Sequence, residues 1–230
     1  MRTCHGIGDW GIISAMPRLL KEKYPNCKVY IPSSNLMEKL FNGILTEKSS
    51  WNNPFINAEY IFKNNPHVDG FKDYIVDEIF HDHYRVYDKN KKDIPLTKQM
   101  LKFWQFEENE YEDYYPELYF SDEEKQIGDD IIYRLVGDKD FGGLLITNRY
   151  SMSNVGSVST FNKCFDMRNV PTRIQLYIRT KAKLNIGTHC GFLDTVSNYS
   201  KVFQIQRIFP LNQNVVEAQY YINRENYKEQ

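Results

Sequence analysis

The chain has 230 residues, a formal net charge of −1 and 26% charged residues. A general nucleic-acid binder would carry a basic surplus or a basic stripe, so we expect no nucleic-acid partner. No apolar run approaches the roughly 20 residues of a membrane helix, which predicts no transmembrane segment. Met1 is followed at once by a motif that looks folded, so we expect no signal peptide. The length allows one large domain or two small ones.

The cysteine and histidine content predicts a cytoplasmic protein without a bound metal. The four cysteines show no C-x-x-C pairing and are expected to be reduced and buried. They are Cys4, Cys27, Cys164 and Cys190. His81 and His83 are two residues apart with no cysteine near them in the sequence, which argues against a zinc site.

The most informative stretch is the N-terminal sequence His5-Gly6-Ile7-Gly8-Asp9-Trp10-Gly11. It follows the short run Met1–Cys4, which can serve only as a brief strand, and apolar residues at helical spacing come after it. We therefore expect a strand, a glycine-rich turn and a helix whose first N–H groups face an anion. A carboxylate in that turn would repel a phosphate but suits a base that takes a proton from a hydroxyl. Asp9 is the candidate catalytic residue, and the candidate acceptor-loop residues around it are Gly6, Gly8, Trp10 and Gly11.

Two other interpretations of this stretch stay open. Gly6, Gly8 and Gly11 match the dinucleotide pattern G-x-G-x-x-G. That pattern also needs an acidic residue after the next strand, but the next strand runs into Pro32-Ser33-Ser34. The purely structural alternative is a tight turn without any ligand, in which Asp9 caps the helix.

The first half of the chain predicts alternating helices and strands. Helices are expected at Trp10–Tyr24, at Asn35–Phe41 with Ser34 or Asn35 as its cap, and at Leu96–Phe106. Cys27–Ile31 reads as a buried strand, and Ala58–Lys63 is ambiguous between helix and strand. The basic run Lys89–Lys92 is typical of a solvated loop, but it could face an anionic acceptor or a membrane surface. Glu107–Tyr115 is interpreted as a linker between two lobes.

The second half continues the alternation. Helices are expected at Ser121–Leu135, Thr172–Thr180, Phe192–Tyr199 and Gln213–Tyr227, and strands at Phe141–Thr147, Ala182–Ile186 and Lys201–Ile205. Ligands of parallel sheets bind beyond the carboxyl ends of strands, where Asn148 and Arg149 follow one strand and the turn Gly187–Gly191 follows another. The planar fork of Arg149 could hold a phosphate, although a surface arginine without a ligand is an equal alternative.

Four segments resemble the heptosyltransferase-type glycosyltransferases, the relatives of enzymes that add heptose to lipopolysaccharide. The first is Gly8-Asp9 with a helix carrying Pro17 and then Leu20–Asn26. The others, in the family's order, are Asn65–Asp69, Pro116–Glu124 and Asn185–Gly191. Val68–Ile75 resembles the strand that follows the second of these segments.

The resemblance implies an α/β fold with two Rossmann-like lobes of the GT-B type. We expect an acceptor-side lobe at residues 1–115, a reduced donor lobe at 116–212 and a closing helix at 213–230 that packs on the first lobe. Both glycine turns would then open on the cleft between the lobes. The second lobe is reduced because residues 149–170 span only 22 positions, where the family has a helix, a strand and another helix.

In the family, the second glycine turn holds the diphosphate of a nucleotide sugar. The residues at those positions here are Gly187, Thr188, His189, Cys190, Gly191 and Asp194. His189 replaces an acid, Cys190 a hydroxyl and Asp194 a histidine, but backbone donors at a helix start can bind phosphate whatever the side chains. Cys190 on its own reads more simply as a small buried residue than as a reactive thiol.

The resemblance predicts a metal-independent glycosyltransferase that uses a nucleotide-diphosphate sugar and a hydroxyl of a glycan or lipopolysaccharide-type acceptor. Asp9 would be the general base, and no further cofactor is expected. Two alternatives stay open: a catalytically silent module that binds sugar or nucleotide, and an NAD-dependent Rossmann enzyme.

Overall fold

The computed structural model describes residues 6–41, 54–74, 101–102, 105–107, 115–136, 145–147, 170–182, 184–188, 195–196, 198–205 and 227–229. In the first half, the elements are α1 (Ile7–Ile12), α2 (Met16–Lys23), β1 (Tyr30–Pro32), α3 (Ser34–Phe41), a 3-10 turn (Pro54–Ile56), α4 (Asn57–Phe62) and β2 (Gly70–Lys72). In the second half, they are α5 (Asp122–Val136), β3 (Leu145–Thr147), α6 (Thr172–Lys181), β4 (Leu184–Thr188), β5 (Lys201–Ile205) and β6 (Tyr227–Glu229).

The first sheet pairs β1 with β2 in parallel, and Tyr30 lies opposite Gly70. Asp69 fixes this register, because its backbone N–H donates to Val29 O and its carboxylate accepts from Val29 N, both at 2.8 Å. The hydrogen bond from Lys21, followed by that from Val29, lowers the pKa of Asp69 to about 2. The expected strand in this region is therefore confirmed over Gly70–Lys72, and Asp69 acts as its anchor.

The second sheet contains four parallel strands in the order β3-β4-β5-β6. The strand predicted at Lys201–Ile205 is confirmed residue for residue. β6 was not predicted: Tyr227–Glu229, at the end of the expected closing helix, pairs with Val202–Gln204. Residues 213–226 of that helix lie outside the described residues. Of the helix predicted at Leu96–Phe106, residues 101–102 are helical, but residues 105–106 are not, since Gln105 has a φ of 62°. Its other residues lie outside the described part of the chain.

One hydrophobic core combines side chains from the N-terminal helices and from α6. Its fully buried members include Ile61, Phe62, Leu176 and Val196. Residues on both sides of the predicted lobe boundary at 115 thus share this core. The described strands form two parallel sheets, as in α/β proteins, while the two Rossmann-like lobes of the GT-B type stay a prediction.

Two local predictions were wrong for identifiable physical reasons. The helix predicted at Trp10–Tyr24 is interrupted between Ile12 and Met16. Pro17 lies in the first turn of α2 and has no N–H to continue the preceding helix. Helix α3 is capped by Ser33, whose hydroxyl accepts from Leu36 N at 3.2 Å, and not by Ser34 or Asn35.

Candidate functional site

The predicted glycine-rich turn is largely helical, because α1 begins at Ile7 and contains both Gly8 and Gly11. Gly6 is the N-cap residue and has extended backbone geometry. Asp9 lies in the first turn of α1, where its Oδ2 accepts a hydrogen bond from Gly6 N at 2.8 Å. This bond is one half of a capping box. Asp9 therefore caps the helix, as the purely structural alternative predicts. It is only half-buried.

Gly11 is needed for close packing and not for a loop. A Cβ at this position would lie 2.1 Å from Thr195 Oγ1 and 2.9 Å from Thr195 Cβ. Thr195 Oγ1 also donates to Ile7 O at 3.4 Å. Helix α1 therefore lies directly against the helical residues 195–196, which follow β4 in the sequence.

Trp10, predicted beside Asp9 in the acceptor loop, belongs to the core. Its side chain is buried and its ring meets Phe62 edge to face, with centroids 6.1 Å apart. Within the described part of the chain, Trp10 Nε1 is a buried donor without a hydrogen-bond partner. The aromatic ring stabilises the packing of α1 on α4, which fixes where Asp9 lies.

Three of the segments that carry the family resemblance meet around Ser14. Its backbone oxygen accepts from Asn65 Nδ2 at 3.4 Å, and its hydroxyl accepts from Glu117 N at 2.7 Å. Arg18 adds an ion pair with Glu117, with Nε and Oε1 2.7 Å apart. The motifs N-P-x-V-D and P-E-L-Y-F therefore hold the N-terminal helices in place. These contacts were not predicted, because they join residues that are distant in sequence.

Tyr119 also belongs to this cluster. Its hydroxyl donates to Glu117 Oε2 at 2.9 Å, and its ring meets that of His67 with centroids 6.3 Å apart. Burial and the Glu117 carboxylate both raise the pKa of the Tyr119 hydroxyl. The phenol therefore stays protonated and acts as a hydrogen-bond donor.

A buried ion pair joins Arg173 of α6 to Glu124 of α5, and Arg173 also reaches the first half of the chain through Tyr60 O. Arg173 Nη2 lies 2.7 Å from Glu124 Oε2, and Arg173 Nη1 donates to Tyr60 O at 2.6 Å. Glu124 also forms a capping box at the start of α5, since it accepts from Ser121 N at 2.9 Å and donates its own N–H to Ser121 Oγ. A helix start at Ser121 was predicted, but the contact between Glu124 and Arg173, which are 49 positions apart, was not.

The candidate donor site lies at the carboxyl edge of the second sheet. β3 ends at Thr147, opposite Ile186 of β4, and Asn148 and Arg149 follow β3 in the sequence. Gly187 and Thr188 were predicted to begin a turn, but they extend β4 and pair with Gln204 and Ile205 of β5. They pair because β5 extends to Ile205 and offers backbone hydrogen-bond partners to these two residues of β4.

The structure brings some predicted site residues together and leaves others undescribed. Asp9, Gly6, Gly8, Trp10 and Gly11 lie in or next to α1, and Gly187 and Thr188 lie at the end of β4. The remaining donor residues lie outside the described residues: Asn148, Arg149, His189, Cys190, Gly191 and Asp194.

Within the residues that the structure describes, no three histidine, cysteine, aspartate or glutamate side chains are grouped as metal ligands. Cys27, half-buried, has a free thiol that donates to Leu20 O at 3.6 Å. Among the described helices, none has the length and apolar character needed to cross a membrane.

Comparisons with protein-family models, with curated proteins and with solved structures gave no match. The resemblance to heptosyltransferases therefore stays a prediction that depends on the four sequence segments.

Proposed function

We propose that this protein is a glycosyltransferase that moves a sugar from a nucleotide-diphosphate sugar to a hydroxyl group of a glycan or lipopolysaccharide-type acceptor. The observation that carries the proposal is the shared sheet edge at which β3 and β4 end. Parallel sheets bind ligands beyond the carboxyl ends of their strands. Two segments chosen for phosphate binding, Asn148-Arg149 and Gly187–Gly191, start from this one edge.

In the proposed reaction, the acceptor hydroxyl attacks the anomeric carbon of the donor sugar and loses its proton to Asp9. A new carbon–oxygen bond forms while the bond between the anomeric carbon and the diphosphate breaks, and the nucleoside diphosphate leaves with the bonding electrons. Arg149 and the backbone donors of residues 189–191, which follow β4, would stabilise the negative charge that develops on the diphosphate. Proton removal by the base is needed as the new bond forms.

Helix α1 supports this role for Asp9 by its position and rigidity. Its packing on α4 through Trp10 and on Thr195 through Gly11 holds the carboxylate in one place. Thr195 follows the second glycine turn after only three residues, so α1 packs near the chain that leaves β4. A base and a leaving-group site on these two segments would lie on neighbouring parts of the fold.

A silent binding module derived from the same fold is the second candidate. The capping bond from Gly6 to Asp9 favours it, because this bond already accounts for the carboxylate without catalysis. The 22 residues at 149–170 favour it too, since the family has a longer segment there.

The test is a thermal-shift screen against nucleoside diphosphates, nucleotide sugars and NAD, followed by a transfer assay with each nucleotide sugar that binds. A ligand that binds only the folded state raises the melting temperature by mass action. Stabilisation by nucleotide sugars with transfer supports the glycosyltransferase, and stabilisation without transfer supports the silent module. Stabilisation by NAD alone would overturn both.

A further inference from the structure

One face of the first sheet carries an unusual combination of side chains. In the parallel register, Tyr30 lies opposite Gly70 and Pro32 lies opposite Lys72, so these four residues share one face. Ile31, on the other face, is buried in the core. Tyr74 follows two residues after Lys72 and meets it on the same side. We call Tyr30, Gly70, Lys72 and Tyr74 the tyrosine face.

Lys72 is held between two aromatic rings. Its Nζ lies 4.5 Å from the centroid of the Tyr30 ring and 5.5 Å from that of Tyr74. Among the described residues, no carboxylate pairs with this ammonium, whereas Lys21 and Lys28 both pair with Asp69. The neighbouring Asp73 instead accepts a hydrogen bond from Ser33 Oγ. Lys72 is therefore a positioned positive charge that pairs with no carboxylate of the described ranges.

The tyrosine face is open. A Cβ built on Gly70 would meet no atom within 4 Å, so there is space beside Tyr30 where a side chain would otherwise stand. The Tyr74 side chain is 59% exposed. An exposed tyrosine offers a large flat apolar surface with a hydroxyl at its tip, at a low cost in side-chain entropy.

We propose that the tyrosine face binds an acidic sugar residue of the acceptor glycan. The C–H face of a pyranose ring would lie on Tyr74 in the space over Gly70, and the carboxylate of the sugar would pair with Lys72. A simple inorganic anion would use Lys72 but leave the tyrosine rings unused, and a neutral sugar would use the rings but leave the charge unpaired. This inference rests on the proposed function, because it supplies the acceptor-side subsite of that reaction.

The experiment is an NMR titration of the full chain with glucuronate, glucose and inorganic phosphate as separate probes. Glucuronate should bind more tightly than glucose. The substitution Lys72→Met should weaken glucuronate by about five- to tenfold and leave glucose nearly unchanged, since it removes the charge and keeps an unbranched apolar stem between the two rings. Tyr74→Ala should weaken both sugars. Lys72→Arg should keep the preference for glucuronate.

Tyr133→Ala is the matched control. Tyr133 is 56% exposed on α5, far in sequence from the tyrosine face, so its loss should leave both titrations unchanged. Circular dichroism of each variant confirms that it is folded. The inference is overturned if neither sugar binds, if Tyr74→Ala binds like the parent, or if phosphate binds as tightly as glucuronate. Because nucleotide binding is measured separately, sugar binding without any nucleotide binding would reject the proposed function and keep this site.

Discussion

Gly11 of α1 lies against Thr195 so closely that a Cβ at residue 11 would come 2.1 Å from Thr195 Oγ1. These residues are 184 positions apart in the sequence, and their contact holds the N-terminal helix on the chain that leaves the second sheet. Both are buried. The contact explains a glycine in the interior of α1, where alanine would otherwise favour the helix by roughly 0.5–1 kcal/mol.

We expect Gly11→Ala to destabilise the protein by about 1–3 kcal/mol, because overpacking outweighs the gain in helix propensity. Urea unfolding of the parent and the variant measures this change. A double-mutant cycle with Thr195→Ala supplies the control, since removing Oγ1 and Cγ2 should recover part of the loss. If Gly11→Ala is neutral or stabilising, the close contact of α1 with residue 195 is wrong.

The ion pair of Arg173 and Glu124 predicts a large effect of a single substitution. Arg173→Ala should destabilise the protein by about 3–5 kcal/mol, because it breaks a buried ion pair and leaves the Glu124 carboxylate with only the longer contact to Lys63 Nζ at 3.4 Å. Urea unfolding measures the loss. Lys125→Ala is the control, because its pair with the fully exposed Asp122 lies at the surface and should contribute less than about 1 kcal/mol. Equal effects of the two substitutions would contradict the burial of the Arg173 pair.

Glu124 also predicts how stability depends on pH. Burial raises the pKa of its carboxyl, but the hydrogen bonds from Arg173 and Ser121 and the nearby positive charges outweigh this and lower the pKa to about 2, from an ordinary value of 4.5. The folded state therefore binds this proton more weakly than the unfolded state. Its contribution to stability is complete above about pH 4.5 and is lost as the pH falls toward 2.

We expect the free energy of unfolding to fall as the pH falls through this window, and Glu124→Gln to flatten part of the decline. The comparison needs urea unfolding at closely spaced pH values for both proteins. Asp69 also has a pKa of about 2, so its contribution to stability is lost over similar pH values. The free energy of unfolding of the variant should therefore still fall with falling pH, but less steeply. An unchanged slope would show that Glu124 is not held in its charged form by Arg173.

Sequence patterns predicted the elements with strong local signals. The start of α5 follows from Ser121 and Glu124, whose capping box is a purely local motif. The start of α6 follows from Pro171, since proline fixes the backbone before a helix. The end of β3 at Thr147 was likewise predicted, whereas β4 runs to Thr188, two residues past its predicted end at Ile186.

Contacts between distant segments could not be predicted in this way. Nothing near Arg173 in the sequence indicates Glu124, and nothing near Gly11 indicates Thr195. Gly8 and Gly11 of the first motif fit a ligand loop as well as a packed helix, because a missing side chain serves either purpose. The pattern thus assigned this segment the wrong local structure.

The donor site predicts a specific loss of nucleotide affinity on Arg149→Ala. The variant should bind nucleoside diphosphate about 1–3 kcal/mol more weakly, since a hydrogen bond to a charged group is removed. Isothermal titration calorimetry with the nucleoside diphosphate found in the thermal-shift screen measures it. Arg134→Ala, at the exposed end of α5, is the control and should bind like the parent. Unchanged affinity in Arg149→Ala would remove Arg149 from the site.

The role of Asp9 separates catalysis from capping. Its Oδ2 accepts from Gly6 N at 2.8 Å, and an asparagine oxygen can accept the same bond. We therefore expect Asp9→Asn to keep the melting temperature within a few degrees and to keep nucleotide binding. Transfer should be abolished, because the amide cannot take a proton and general-base catalysis contributes about 10²–10⁴-fold.

Asp9→Ala is the companion variant. It lacks both the base and the capping oxygen, so it should lose transfer together with about 0.5–2 kcal/mol of stability, the range measured for lost helix caps. Thermal unfolding and the transfer assay on the same three proteins then divide the two roles of the carboxylate. If Asp9→Asn transfers sugar at the parent rate while Asp9→Ala melts early, Asp9 is a structural cap and the base must be sought elsewhere. If Asp9→Asn itself melts at a much lower temperature, the carboxylate charge at the start of α1 is needed for folding. A loss of transfer in this variant is then explained by unfolding and does not support a role of Asp9 as the base.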